Sequence, residues 1–191
     1  MMTKILNGRS SLRLVVTLSF CVLMTGCQSM TMTKVNTVTG SQGIKGEFCN
    51  NKVPNSPPVY PKALYQAMNE CVNAGVFDNA VFFYALAGSY TWYDAMRVNT
   101  QYARSMHGRL LTESINQLDD VQKNRLWEQI QLGMKDSQKK SALCLKVKGI
   151  GAPGYQPDYM LVDPSAAPDS PAFSGSVNWA DTVNSYMECP K

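Results

Sequence analysis

Residues that carry chemistry are scarce in this chain. A single histidine, His107, stands among 191 residues, so a Ser-His-Asp set would have to use it. No GxSxG elbow accompanies it. No CxxC or HxxxH pair occurs, which removes the usual spacings of a tetrahedral zinc site. The glycine-rich stretch Gly149-Ile150-Gly151-Ala152-Pro153-Gly154 contains proline and opens no clear helix, so it lacks the form of a phosphate loop. Glu70, Asp94, Glu113 and Glu128 are available as a carboxylate pair for glycoside cleavage, but any helical protein of this size carries such carboxylates. No metal, cofactor or catalytic set is therefore expected.

Charge of one sign is also missing where it would matter. The 18 Lys and Arg exceed the 14 Asp and Glu, but Lys4, Arg9 and Arg13 fall in the first 26 residues, which hold no acid. Without that segment the formal charge is near +1. No electrostatic case for a nucleic-acid partner survives.

The first 27 residues do carry a signal. Lys4, Arg9 and Arg13 form a basic region, and Leu14 to Met24 an apolar one too short to cross a bilayer as a mature helix. Leu23-Met24-Thr25-Gly26-Cys27 then ends on a small residue and a cysteine. This order resembles the lipobox of bacterial lipoproteins, with Met24 in place of the family's usual Leu. The resemblance implies cleavage before Cys27, diacylation of its sulfur and acylation of the new amine. Gln28, where the enterobacterial version uses Asp for inner-membrane retention, implies the periplasmic face of the outer membrane. Several acyl chains give a stable anchor, since each buried CH₂ contributes about 0.8 kcal/mol. The expected organisation is a signal peptide over 1–26, a flexible tether over 27–58 rich in Ser, Thr, Asn, Gly and Lys, and a helical periplasmic domain over 59–191. The 165 residues left after cleavage suit one domain with a core.

Six cysteines are present. Cys21 leaves with the signal and Cys27 takes lipid, so Cys49, Cys71, Cys144 and Cys189 remain as an even set in an oxidising compartment. Three connectivities are possible. The pairing local in sequence, Cys49–Cys71 with Cys144–Cys189, is favoured.

The pattern beyond residue 58 is helical. Pro61 suits a first helical position. Leu64, Ala67, Met68, Cys71 and Val72 recur at helical spacing before Gly75. Asp78 is expected to cap a helix over Asn79 to Ala87 that is apolar almost all round, hence centrally buried, and that Gly88 ends. Thr91-Trp92-Tyr93-Asp94 has the form of a capping box opening a third helix, with an interruption at Asn99-Thr100. Ala103, Met106, Leu110, Leu111, Ile115 and Leu118 continue the period. Asp119 and Asp120 suit the start of a further helix striped by Leu126, Trp127, Ile130 and Met134. Residues 141–148 are ambiguous: Leu143, Leu145 and Val147 alternate as in a strand, yet Lys139 to Leu145 equally fit the end of a helix. Residues 149–175 read as an irregular loop, and Asn178 as the cap of a last helix through Glu188, carrying Trp179, Val183 and Tyr186.

Gly75, Phe77, Ala80, Tyr84 and Ala87 have the spacing of half a tetratricopeptide repeat, and the stretch 64–87 resembles that family weakly, with Met68 where a small residue is usual. The resemblance implies a helical hairpin. No second copy follows about 34 residues later, so no solenoid is expected.

Tyr90, Trp92, Asp94, Arg97, Arg104 and Arg109 are the candidate interface, being near one another and of the types that dominate binding hot spots. The competing reading makes the aromatics core and Asp94–Arg97 an i, i+3 surface pair. The fold expected is mainly α: a compact domain of about five helices with a disulfide-pinned irregular C-terminal segment. The function expected is non-catalytic protein binding by an outer-membrane-anchored periplasmic lipoprotein, an immunity protein against a toxin delivered by competing bacteria. Its partners would be the membrane, through the N-terminal lipid, and one protein. The alternatives are an envelope or secretion-complex assembly lipoprotein and a periplasmic hydrolase using His107.

Overall fold

The computed structural model describes residues 49, 59–162 and 176–191. Cys27, the signal and most of the tether lie outside these. Six α-helices make up the described body: α1 Pro61–Asn73, α2 Phe77–Val98, α3 Gln101–Ile115, α4 Asp120–Lys135, α5 Ser137–Ile150 and α6 Trp179–Met187, with a 3-10 turn at Asp158–Met160. The protein is mainly α, as its periodicity predicts. None of these helices is long and apolar enough to cross a membrane.

Pro61 sits in the first turn of α1, where its missing N–H costs nothing. Gly75, at φ +73°, supplies the left-handed backbone of the turn into α2. That turn makes α1 and α2 a hairpin. Asn69 Nδ2 donates to the Ser114 carbonyl at 2.8 Å, and Ser114 Oγ donates to the Tyr65 carbonyl at 3.2 Å. These bonds tie α1 to α3 and satisfy polar groups that burial would otherwise strand.

The middle of the fold corrects three expectations. Asp78 is not the cap of α2; Val76 is, without a side-chain bond, and Asp78 stands in the first turn, where the helix dipole favours a carboxylate. Gly88 does not end the helix. α2 runs 22 residues from Phe77 to Val98. Thr91 opens no capping box; its hydroxyl donates back to the Gly88 carbonyl at 2.9 Å inside the helix. The break falls instead at Asn99, whose φ of 54° closes α2, and at Thr100, whose hydroxyl accepts from the Ala103 N–H at 3.1 Å to open α3.

α2 is central, with Ala80, Phe82, Phe83, Ala87, Thr91 and Asp94 at or near zero exposure. Tyr84, part of the same apolar run, is only half-buried.

The ambiguity over 141–148 resolves as helix. Asp136 Oδ1 accepts from the N–H groups of Gln138 and Lys139 and starts α5. Cys144 and Val147, three apart, are buried, while Leu145 is 66 % exposed. The apparent strand alternation thus placed Leu145 on the wrong face. α4 begins with a full capping box between Asp119 and Gln122. Asn178 caps α6.

The disulfides are Cys49–Cys71 and Cys144–Cys189, with Cα–Cα distances of 5.2 and 6.0 Å. The first ties residue 49 to α1, where Asn79 Nδ2 also holds the Cys49 carbonyl at 3.0 Å. The second pins the end of α6 to α5. Of the expected loop 149–175, Gly149 and Ile150 belong to α5 and 158–160 form the 3-10 turn, while 163–175 lie outside the described residues.

Candidate functional site

Three features lie along the C-terminal half of α2. The first is a buried carboxylate. Asp94 is fully buried. Its Oδ1 accepts from Arg97 Nη2 at 2.8 Å, and its Oδ2 accepts from Tyr155 Oη at 2.8 Å and Tyr159 Oη at 2.6 Å. Arg97 Nη2 also donates to the Tyr155 carbonyl at 3.1 Å, and the guanidinium lies over the Tyr93 ring at 5.0 Å. Burial raises the Asp94 carboxyl above the usual range, only partly offset by the Tyr159 bond and the Arg97 charge. Burial, together with the Asp94 charge, likewise pushes the Tyr155 and Tyr159 hydroxyls far up, so both remain donors. Tyr90 donates to the Gly151 carbonyl at 3.2 Å and is pushed up to about 12, mainly by burial. Tyr60 stacks on Tyr155 with ring centroids 4.4 Å apart.

This cluster is an internal clamp that holds the chain from Gly151 to Leu161 on α2. It includes three of the six residues assigned to an interface from sequence. Tyr90 is buried, as the competing reading has it, but the Asp94–Arg97 pair is not the surface pair of that reading, since Asp94 is buried and Arg97 half-buried. Tyr155 and Tyr159, which complete the clamp, carry no local signal: they stand about 60 positions from Asp94, in a stretch that reads as irregular.

The second feature is His107. Its Nδ1 lies 2.6 Å from Thr91 Oγ1. The threonine hydroxyl has one hydrogen, which goes to the Gly88 carbonyl. With that hydrogen on Gly88, His107 Nδ1 is the donor to Thr91; in the other tautomer Nδ1 accepts and the Gly88 bond is given up. A general base needs the second arrangement, and Thr91 is then a fully buried hydroxyl. The imidazole packs edge-on against Trp92 and Tyr186 at 5.5 and 5.3 Å, and burial lowers its pKa. Thr91 itself is fully buried. Of the carboxylates available from sequence, Asp94 is spent in the clamp, and Glu113 and Glu128 lie exposed on α3 and α4. Among the described residues no group of three or more His, Cys, Asp or Glu gathers as metal ligands.

The third feature is a groove of about 240 Å³ where α2, α3 and α6 meet. Trp92, Ala95, Met96 and Asn99 line it from α2, Arg104 from α3 and Ser185 from α6. Met96 is 41 % exposed. Arg104 is exposed and its Nη1 donates to Asn99 Oδ1 at 3.0 Å. Trp92 and Arg104 are thus the two sequence candidates that one surface brings together. Arg109 is exposed on α3 but does not line this groove.

No family profile, curated protein or solved structure matches this chain.

Proposed function

We propose that this chain is an outer-membrane-anchored periplasmic lipoprotein that binds another protein, and that it serves as an immunity protein against a toxin delivered by competing bacteria. The observation that carries the binding reading is the groove of Trp92, Met96 and Arg104. It sets an exposed thioether and an exposed guanidinium beside a half-buried indole, residue types on which interfaces concentrate their energy. The two disulfides support an oxidising compartment. The order of basic region, apolar region, Gly26 and Cys27 supports the anchor. A domain of this kind needs no reacting group, because occlusion of a toxin spreads its energy over a surface.

The test is survival beside a toxin-producing neighbour, with capture of the toxin as the direct readout. Met96→Glu and Arg104→Glu alter the groove without touching the core. Each should weaken toxin binding by tenfold or more, the size of a hot-spot loss. His107→Ala should leave binding intact. Loss of protection confined to His107→Ala, with folding and binding unchanged, would move the reading to a hydrolase.

A further inference from the structure

We propose that the exposed face of α4 and α5 is a docking surface for the anionic phospholipid headgroups of a bilayer. The proposal rests on the lipid-anchor reading for what keeps a bilayer near, and it names the face that the body turns toward it.

Charge on the helical body is mixed, but α5 is not. Lys139, Lys140, Lys146 and Lys148 lie within it and no acid does, and Lys135 ends α4 just before it. Among the described residues only Lys140 of these five reaches a carboxylate, that of Glu188 at 3.9 Å. The Lys146 ammonium lies over the Phe82 ring at 4.0 Å while the residue stays exposed. The same two helices leave two large apolar side chains uncovered, Leu145 at 66 % and Leu132 at 50 % exposure, and their exposed acids are Asp120 and Glu128 of α4 and Asp136, which caps α5. Leu132, Lys139, Ala142 and Leu143, with Asp78 and Val81 of α2, line a groove of about 310 Å³. Lysines at the headgroups with leucines at the acyl boundary are the composition of an interfacial helix.

The route of the chain reaches the same end of the body. Cys49 is held to Cys71 by the disulfide and to Asn79 by a hydrogen bond. Asn79 adjoins Asp78, which lines the α4–α5 groove. Cys49 therefore joins the body at the N-terminal end of α2, the end at which Asp78 and Val81 line this groove. Cys27 and Cys49 are 22 positions apart, a covalent reach of at most about 75 Å. The partner groove lies at the other end of α2: Val81 and Ala95 are about 21 Å apart along the helix axis. A body resting on α4 and α5 leaves that groove clear of the headgroups. An acidic protein would match the lysines, but the exposed leucines and an anchored chain that enters at this end of α2 favour the bilayer.

The experiment uses the mature lipoprotein with vesicles of phosphatidylcholine alone and of phosphatidylcholine with phosphatidylglycerol. Lysine acylation is mapped by mass spectrometry. On the anionic vesicles Lys135, Lys139 and Lys146 should label about fivefold more slowly, with Lys62 and Lys191 unchanged and the difference erased by high salt. Lys139→Glu combined with Leu145→Glu should remove the slowing at Lys135, with helicity and both disulfides retained. Equal labelling on both vesicles overturns the proposal. So does slowing by polyglutamate but not by anionic vesicles, which would indicate a protein partner. Flotation on phosphatidylcholine vesicles reads the acyl anchor alone. If it fails, the anchor reading fails, and docking is then read as salt-reversible flotation on the anionic vesicles; failure there overturns docking as well.

Discussion

The Tyr186 hydroxyl lies against the backbone of Gly88, where a Cβ would overlap it. α6 thereby reaches α2 at a point that only glycine leaves open. This explains why a residue that disfavours helices by about 0.5–1 kcal/mol sits in mid-helix. Gly88→Ala should destabilise the protein by about 1–3 kcal/mol, despite the better helix propensity of alanine. In a Tyr186→Leu background the same change should cost less, and the shortfall from additivity measures the contact. Urea unfolding of the four proteins decides it; additive losses would place the strain elsewhere.

Asp94 should matter more than any single partner in its clamp. Asp94→Asn removes the charge that faces a half-buried Arg97. The loss of one side of a buried pair costs about 3–5 kcal/mol, and the partial exposure of Arg97 draws the expectation to the lower end. Tyr159→Phe removes one hydrogen bond to a charged acceptor and should cost about 1.5–3 kcal/mol. If Asp94→Asn costs less than Tyr159→Phe in chemical denaturation, the carboxylate is not the centre of the cluster.

Both disulfides should protect the fold, the C-terminal one more. Sequence separations of 22 and 45 for Cys49–Cys71 and Cys144–Cys189 correspond to about 3 and about 4 kcal/mol by loop-closure entropy. Paired Cys→Ala variants at each bridge, compared by denaturant midpoint, check the order. Non-reducing mass mapping should recover both bridges and no free thiol among the four cysteines.

His107 should make stability depend on pH. Its folded pKa is held below the ordinary 6.5 by burial. The unfolded chain therefore takes up the proton first. The stability this neutral imidazole contributes is complete above 6.5 and is lost as pH falls through 6.5 and on through the folded value. His107→Asn keeps an N–H near Thr91 but does not titrate. The difference in stability between the two proteins should shift across that window and stay level above it. A pH-independent difference from neutral pH down to mildly acidic pH would show that the imidazole is as well solvated folded as unfolded.

Most of the helices were legible in the residues. Pro61, Asp119 and Asn178 act within one turn, so their roles as helix starts need no knowledge of the rest of the chain. The cysteine pairing followed from count and local separation. The all-apolar run after Asn79 announced a central helix, because no face of it can be given to water. What local pattern could not supply was anything decided across the fold. Gly88 reads as a stop until Tyr186, 98 positions on, occupies the space its missing side chain leaves. Asp94 and Arg97 read as a surface pair until Tyr155 and Tyr159 arrive from a stretch without periodicity and bury the carboxylate. Trp92 and Arg104 belong to one groove only because the chain reverses at Asn99 and α6 closes the third side. Capping, period and composition act over a few residues and are written in order along the chain. Burial, close approach and the meeting of distant side chains depend on which surfaces the folded chain brings together, and that the tertiary structure alone decides.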